Sequence, residues 1–293
     1  MDTTHVRPDF DLQSHSVHSD GVLEPAAVVA LAADAGMRLM ALTDHDTVDG
    51  VGEALRAAAE RGVRCSPAAE LSAVEGDFED LHVLGYELRH DDAALRETLA
   101  DFRADRGRRI HAMADRLEEL GFALDRTALA ERERAGLPLG RPHLADAVLS
   151  NPANDGKLRD EGIAGRAELF PAYLVPGARA YIARSRPTVP QAIDVIHAAG
   201  GLAVWAHPFW DVEDPDAAIG TLERFAGAGL DGVECFYATH TEQQTRLLHD
   251  AAQRLGLLTT GSTDFHGPDH ETFSGFGGFG LYGLEPDLGP IGR

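Results

Sequence analysis

Lysine is all but missing from this chain: Lys157 is its one example, so arginine carries nearly all the positive charge. Positive charge of either kind is scarce, with 26 basic residues against 48 acidic ones and a formal net charge of −22. A field of that sign repels nucleic-acid backbones and anionic membranes. It excludes duplex nucleic acid and the membrane surface as expected partners. A small anionic substrate stays open, provided bound cations make the field locally positive. The preference for arginine reads as the mark of a GC-rich genome rather than of a function. Cysteine is equally sparse. Cys65 and Cys235 both fall in or beside predicted buried strands, so structural thiols are expected and a disulfide framework is not. No apolar run approaches the length of a membrane span. The stretch Met1–His5 has neither a basic region nor an apolar one of the secretory kind, and a cytoplasmic location is expected.

What is present is enough for one large core, or for a barrel with an insertion: 293 residues, 44% of them hydrophobic. Strand and helix signals alternate over the first ninety or so positions. Phe10–Leu12 reads as a short strand. Glu24-Pro25 opens a helix that Gly36 closes. Leu39–Thr43 reads as a strand, Thr47–Arg61 as an Ala-rich helix stopped by Gly62, and Val63–Leu71 and Leu81–Leu88 as further strands. This alternation predicts a parallel sheet. The rhythm breaks near His90. Leu95, Leu99, Phe102, Ile110, Met113 and Leu117 recur at helical spacing across Asp91–Leu120. Shorter helices are predicted at Leu124–Arg134, His143–Leu149 and Ala167–Tyr173. Residues 91–180 therefore read as a helical insertion between 1–90 and 181–293. The alternation then resumes with helices Val189–Ala199, Asp216–Gly227 and Glu242–Leu255, and strands Leu202–Ala206, Gly232–Phe236 and Leu257–Gly261. About seven strands result, which favours a seven-stranded barrel over eight. The Gly-rich tail from Gly275 reads as a loop or a weak final strand. Its glycines do not form a phosphate loop, because no helix follows.

Histidines and carboxylates stand where the predicted strands end. Asp11-Leu12-Gln13-Ser14-His15-Ser16, with Ser19-Asp20-Gly21, comes first, and Thr43-Asp44-His45-Asp46, Glu70 and His82 follow. Ala206-His207-Pro208 and Ser262-Thr263-Asp264-Phe265-His266 close the series. A barrel of parallel strands brings its strand C-termini to one mouth, so residues far apart in sequence can converge. Imidazole with carboxylate is a donor set for Zn, Mn or Fe. The pattern predicts a multinuclear metal centre. His5, His90, His111, His197 and His249 fall on the terminus or on predicted helices, and are expected at the surface or in the core. His18 is expected to face solvent. Asp44 and Asp46 read as loop-capping carboxylates or as partners of the ligands.

These six pieces, in this order, resemble the motifs of the PHP (polymerase and histidinol phosphatase) domain family, and the resemblance spans nearly the whole chain. Within that family the chain is most similar to stand-alone metal-dependent phosphoesterases, which carry a helical insertion at this place. The resemblance implies an α/β fold, a distorted (β/α)₇ TIM-like barrel, holding two or three divalent ions of Mn, Fe or Zn. His15, Glu70 and Asp264 would hold the first ion, with Gln13 standing where the family has a histidine. Glu70 would bridge to a second ion held also by His82 and His207. Asp20, His45 and His266 would hold the third. A hydroxide bridging two ions would attack the phosphate of a small nucleotide or of a short oligonucleotide 5′ end. Asp264, His207 and His266 are the expected catalytic side chains, the two histidines being candidates for leaving-group protonation. Arg141 and His143 in the insertion, with Arg184 and His240, are the expected substrate contacts. His270, shortly after His266, is a candidate to reach the mouth.

Other readings stand beside this one. A phosphatase of another phosphorylated metabolite, such as histidinol phosphate, would use the same centre. Gln13 supports a metal-binding module that has lost catalysis, since an amide oxygen is a weaker donor than imidazole. The barrel also resembles amidohydrolases, which cleave C–N bonds, though a third ion suited to gripping phosphate argues against that.

Overall fold

The computed structural model describes residues 7–76, 78–135, 139–183 and 187–293. The chain divides into two compact units, Met1–Ala100 with Pro187–Arg293, and Asp101–Arg186.

The first unit is mixed α/β. Its elements up to residue 100 are β1 (Phe10–Asp11), α1 (Pro25–Asp34), β2 (Leu39–Leu42), α2 (Val51–Arg61), β3 (Arg64–Pro67), β4 (Ala69–Glu75), β5 (Phe78–Tyr86) and the start of α3 (Ala93–Glu119). The helices end where glycine allows a left-handed residue. Gly62 closes α2 at φ +67° and Gly36 follows α1 at φ +87°. β1, β2 and β3 pair in parallel as one sheet. All four residues of β2 are buried, as expected of a strand covered on both faces.

Two expectations are corrected here. The predicted strand Val63–Leu71 is broken at Ala68: its first half is β3, and its second half, β4, joins the other sheet. Pro67 has no N–H to carry the ladder onward. Nor is the sheet all parallel. β4 and β5 form a hairpin, and β5 runs antiparallel to both β4 and β6. The link between them is too short for a crossover, so antiparallel pairing is forced. His82 therefore sits within a strand, not at its end, paired with Ser72.

The second unit holds the rest of α3, then α4 (Thr127–Arg134), α5 (Arg141–Leu149), α6 (Asp155–Asp160) and α7 (Arg166–Leu169). Its core is apolar, with Met113, Leu117, Leu144, Val148 and Tyr173 fully buried. Ala167–Tyr173, expected as one helix, is divided between α7 and a wider π-type turn over Phe170–Leu174, with Pro171 inside it.

The first unit resumes with α8 (Val189–Ala198), β6 (Leu202–Trp205), α9 (Pro208–Asp211), α10 (Pro215–Gly227), β7 (Gly232–Tyr237), α11 (Glu242–Leu255) and β8 (Leu258–Ser262). Thr188 and Thr241 cap α8 and α11 through Gln191 and Gln244. The second sheet runs β4-β5-β6-β7-β8. Among the described residues the ladders do not close into a barrel. Loop backbone instead links the sheets past the strand ends. Leu12 N–H donates to Gly261 (3.1 Å) and His15 N–H to Phe265 (2.8 Å) on one side. Asp46 N–H donates to Glu70 (2.8 Å) on the other. The tail is a loop that packs Phe276 face to face on Phe265, 4.5 Å between ring centres.

Candidate metal centre

All nine residues read from the sequence as ligands come together, and Glu70 is their hub. Its side chain is fully buried at the start of β4. One carboxylate oxygen lies 2.8 Å from His82 Nδ1 and 3.3 Å from His207 Nε2. The other lies 3.1 Å from His15 Nε2, 3.6 Å from His45 Nδ1 and 3.0 Å from Gln13 Nε2. Asp264 Oδ1 is 3.0 Å from His15 Nε2. Asp20 reaches His45 at 3.4 Å, and both His15 and His266 at 3.5 Å. Three sets of donors gather within 4.8 Å: His15, Glu70 and Asp264; His45, Glu70 and His82; and His15, Asp20, His45 and His266. His207 adjoins the second set, 3.3 Å from His82.

The surrounding chain makes this convergence rigid. Asp44 accepts from Ser16 N–H (2.7 Å), Ser16 Oγ (2.6 Å) and Ser19 Oγ (2.6 Å), and so folds the loop that delivers Asp20. Asp44→Ala would strand three donors, and a loss of about 2–4 kcal/mol is expected, read as a lower urea midpoint. Asp11, which burial pushes up to about 7, accepts from the N–H groups of Thr263 (3.0 Å) and Gly277 (2.8 Å) and ties β1 to the loop after β8. His207 and Asp264 hold left-handed backbone, φ +28° and +55°. Such strain persists only where the surroundings over-determine it. At His207 the partner is Glu234, whose carboxylate accepts the His207 N–H at 2.9 Å and Ser262 Oγ at 2.5 Å. Burial pushes Glu234 up to about 8.

The donors fit divalent cations. His15 Nε2 and Asp264 Oδ1 are buried and 3.0 Å apart, yet neither forms an aligned hydrogen bond among the described residues. His45 Nδ1, 3.6 Å from Glu70, is in the same position. Buried polar atoms are nearly always satisfied, so several left over around one carboxylate point to a cation as their common partner. The electrostatics agree. Burial opposes ionisation of Glu70, but His82, His45, His15 and His207 outweigh it and hold the carboxyl well below its ordinary range. Burial likewise opposes a charged His15, and the carboxylates of Asp264 and Glu70 outweigh it.

The remaining predicted residues are placed as follows. Gln13 donates its amide to Glu70 and accepts from Ser262 Oγ at 3.3 Å. His18 is half-buried and in none of the three sets. His240 is buried, with Nδ1 3.1 Å from Cys235 O, and burial pushes it down to about 4. Arg141 and His143 begin α5 in the helical unit. Arg141 Nη1 donates to Leu174 O at 3.3 Å, and His143 Nδ1 accepts the Gly140 N–H at 3.1 Å. Arg184 lies outside the described residues. The sequence reading missed Tyr237, whose hydroxyl donates to Asp264 Oδ2 at 2.9 Å, and Asp211, 3.7 Å from His207 Nδ1. It also missed Glu234, although an acidic residue inside an apolar strand was a visible signal.

The likenesses to known proteins converge on this centre. Residues 11–126 match the family model described as the PHP domain. A 5′-3′ exoribonuclease of Haemophilus influenzae is 32% identical over 262 residues, covering 88% of this chain and 90% of that protein. A 3′,5′-nucleoside bisphosphate phosphatase of Chromobacterium violaceum is 31% identical over 289 residues, covering 97% of this chain and 94% of that protein. A crystal structure of a candidate metal-dependent phosphoesterase from Bifidobacterium adolescentis superposes with a TM-score of 0.71 at 28% identity, covering 91% of this chain and 92% of that one. Fold, centre and likeness define a metal-dependent phosphoric ester hydrolase. The chain belongs to the PHP domain family.

Proposed function

We propose that this enzyme removes phosphate from a small nucleotide, or acts at the 5′ end of a short oligonucleotide. The observation that carries the reading is the gathering of three donor sets around the single carboxylate of Glu70. In it, His15, Glu70 and Asp264 hold one ion, Glu70 with His82 and His207 a second, and Asp20, His45 and His266 a third, each Mn, Fe or Zn. Bound ions of this kind supply an activated water and neutralise phosphate charge. The chain's own part is to hold the donors and admit the ester. Asp20, His82 and His266 keep 44%, 20% and 15% of their side chains exposed, whereas His15 and Glu70 keep none. Phosphate therefore approaches from the Asp20–His82–His266 face. His266 lies on that face with Nδ1 on Asp264 O at 2.7 Å and Nε2 toward Asp20. In this reading it serves, like His207, as a ligand, and the donor to the leaving oxygen is left to the substrate's own surroundings. With β3 and β4 counted as one strand interrupted at Ala68, the two sheets act as arcs of a distorted seven-stranded barrel. A role for the helical insertion in substrate choice, with Arg141 and His143 as its contacts, belongs to the same proposal.

Gln13 serves the centre through Glu70, which it holds by its amide. Gln13→Ala is expected to weaken metal binding by roughly 10–100-fold, the cost of removing a group that orients a ligand. Metal titration of the variant beside the wild type measures it. Unchanged affinity would remove Gln13 from the centre.

The function is tested by phosphate release from nucleoside monophosphates, 3′,5′-bisphosphates, 5′-phosphorylated oligonucleotides and histidinol phosphate, with Mn, Fe or Zn. Turnover of the nucleotides above the other ester supports the reading. Turnover of histidinol phosphate alone favours the metabolite phosphatase. None with any ion, in protein that still binds metal, indicates a binding module.

A further inference from the structure

Large apolar side chains that remain exposed are uncommon enough to ask what covers them. Trp210, at 58%, and Val22, at 64%, are two of them, and both border the metal centre. Val22 donates its N–H to His266 O at 3.1 Å. Trp210 lies three residues after His207, its N–H on His207 O at 2.8 Å. Its ring stands 5.8 Å from that of Phe273, which is itself 5.8 Å from His266. Phe273 is fixed in turn. The ring of His270 stacks on it at 5.2 Å, and the Phe273 N–H donates to His270 Nδ1 at 3.0 Å. An open indole backed by a buried phenyl ring thus stands at the edge of a cluster that otherwise offers only charged and polar groups.

We propose that Trp210, backed by Phe273, is the stacking platform for the nucleobase of the substrate. The proposal rests on the nucleotide reading above and deepens it. Charge favours this occupant over an acidic one. With a net charge of −22 the chain repels anions away from the cations of the centre. A base, by contrast, is neutral and binds through its face. Stacking on an aromatic side chain tolerates any base, so the platform selects for the presence of a base and not its identity.

The chain has two tryptophans, and Trp205 is fully buried. Trp210 is therefore a selective reporter. Adenosine monophosphate is expected to quench the fluorescence of the metal-loaded enzyme where ribose 5-phosphate does not, and Trp210→Phe should abolish the quench. In Trp210→Ala, the ratio of kcat/KM for adenosine monophosphate to that for ribose 5-phosphate should fall roughly 10–100-fold, mainly through KM. Trp210→Phe should keep most of the ratio. An unchanged ratio in Trp210→Ala with no quench in the wild type overturns the platform. So does an unchanged ratio with loss of a dimer, which would assign the rim to a second copy of the chain. If the wild type hydrolyses neither ester, the quench alone decides the platform, and the nucleotide reading is decided separately by the wider panel of bisphosphates and oligonucleotides.

Discussion

Replacing Glu70 by glutamine is expected to lower turnover of any phosphate ester by roughly a thousandfold or more, and to reduce bound metal in the same preparation. Glutamine keeps the volume, so the effect isolates charge. Among the described residues Glu70 is the one side chain in contact with His15, His45, His82 and His207 together. Without it, two of the three donor sets lose their shared anion. Three buried imidazoles and the partly open His82 are then left to face one another across a neutral amide. Asp20→Asn provides the comparison. Asp20 is the partly open carboxylate and belongs to one set only, so a smaller loss of metal is expected. Elemental analysis with single-turnover kinetics on both variants measures this. Glu70→Gln with wild-type metal content and wild-type turnover would sink the proposed centre.

Stripping the ions with a chelator is expected to abolish hydrolysis and lower the melting temperature, with both restored by adding back one of Mn, Fe or Zn. Ions bound to the native state alone stabilise it by about 2.7 kcal/mol at a free concentration of 100 times Kd. For a chain of this size that is roughly 4 °C for each such ion. The pH dependence follows from the same groups. Burial opposes charge on His15 and His207. The neighbouring carboxylates outweigh it, Asp264 and Glu70 for the one and Asp211 and Glu70 for the other, and hold both imidazoles well above their ordinary range. In the metal-free chain these rings hold protons that an incoming ion must displace. Apparent affinity should therefore rise with pH, and binding should release protons. Calorimetry in buffers of different ionisation enthalpy detects the release. A melting temperature and turnover indifferent to chelation would refute a metal-dependent centre.

Much of the centre was legible because its chemistry is carried by residue types that seldom occur together. His15, His45, His207, Asp264 and His266 each follow a short apolar run, and that pattern can be read without coordinates. Helix limits were legible for a similar reason. Pro25, Gly36, Gly62 and Gly256 start or stop helices through their own backbone preferences. These are local properties, and a sequence states them directly.

What the tertiary structure decided is how distant pieces face one another. The break at Ala68 and the reversal of β5 depend on which sheet each strand can join, and apolar periodicity is silent on that. They explain why His82 reaches Glu70 from the middle of a strand. Tyr237 and Glu234 lie on β7 and Asp211 ends α9; Glu234 stands out as an acid inside an apolar strand, but which residue each of the three meets, Asp264 or His207, is set by the fold. Gln13 illustrates both halves. Its type and place beside His15 are sequence facts, whereas its contact is Glu70, 57 positions away, and only folding brings the two within 3.0 Å. The ordered motifs thus pointed to a cation-binding chemistry and named the residues that the fold gathers around Glu70. Long-range packing decided which atoms share a position, because hydrogen bonding and charge act over a few ångströms of space and not over sequence.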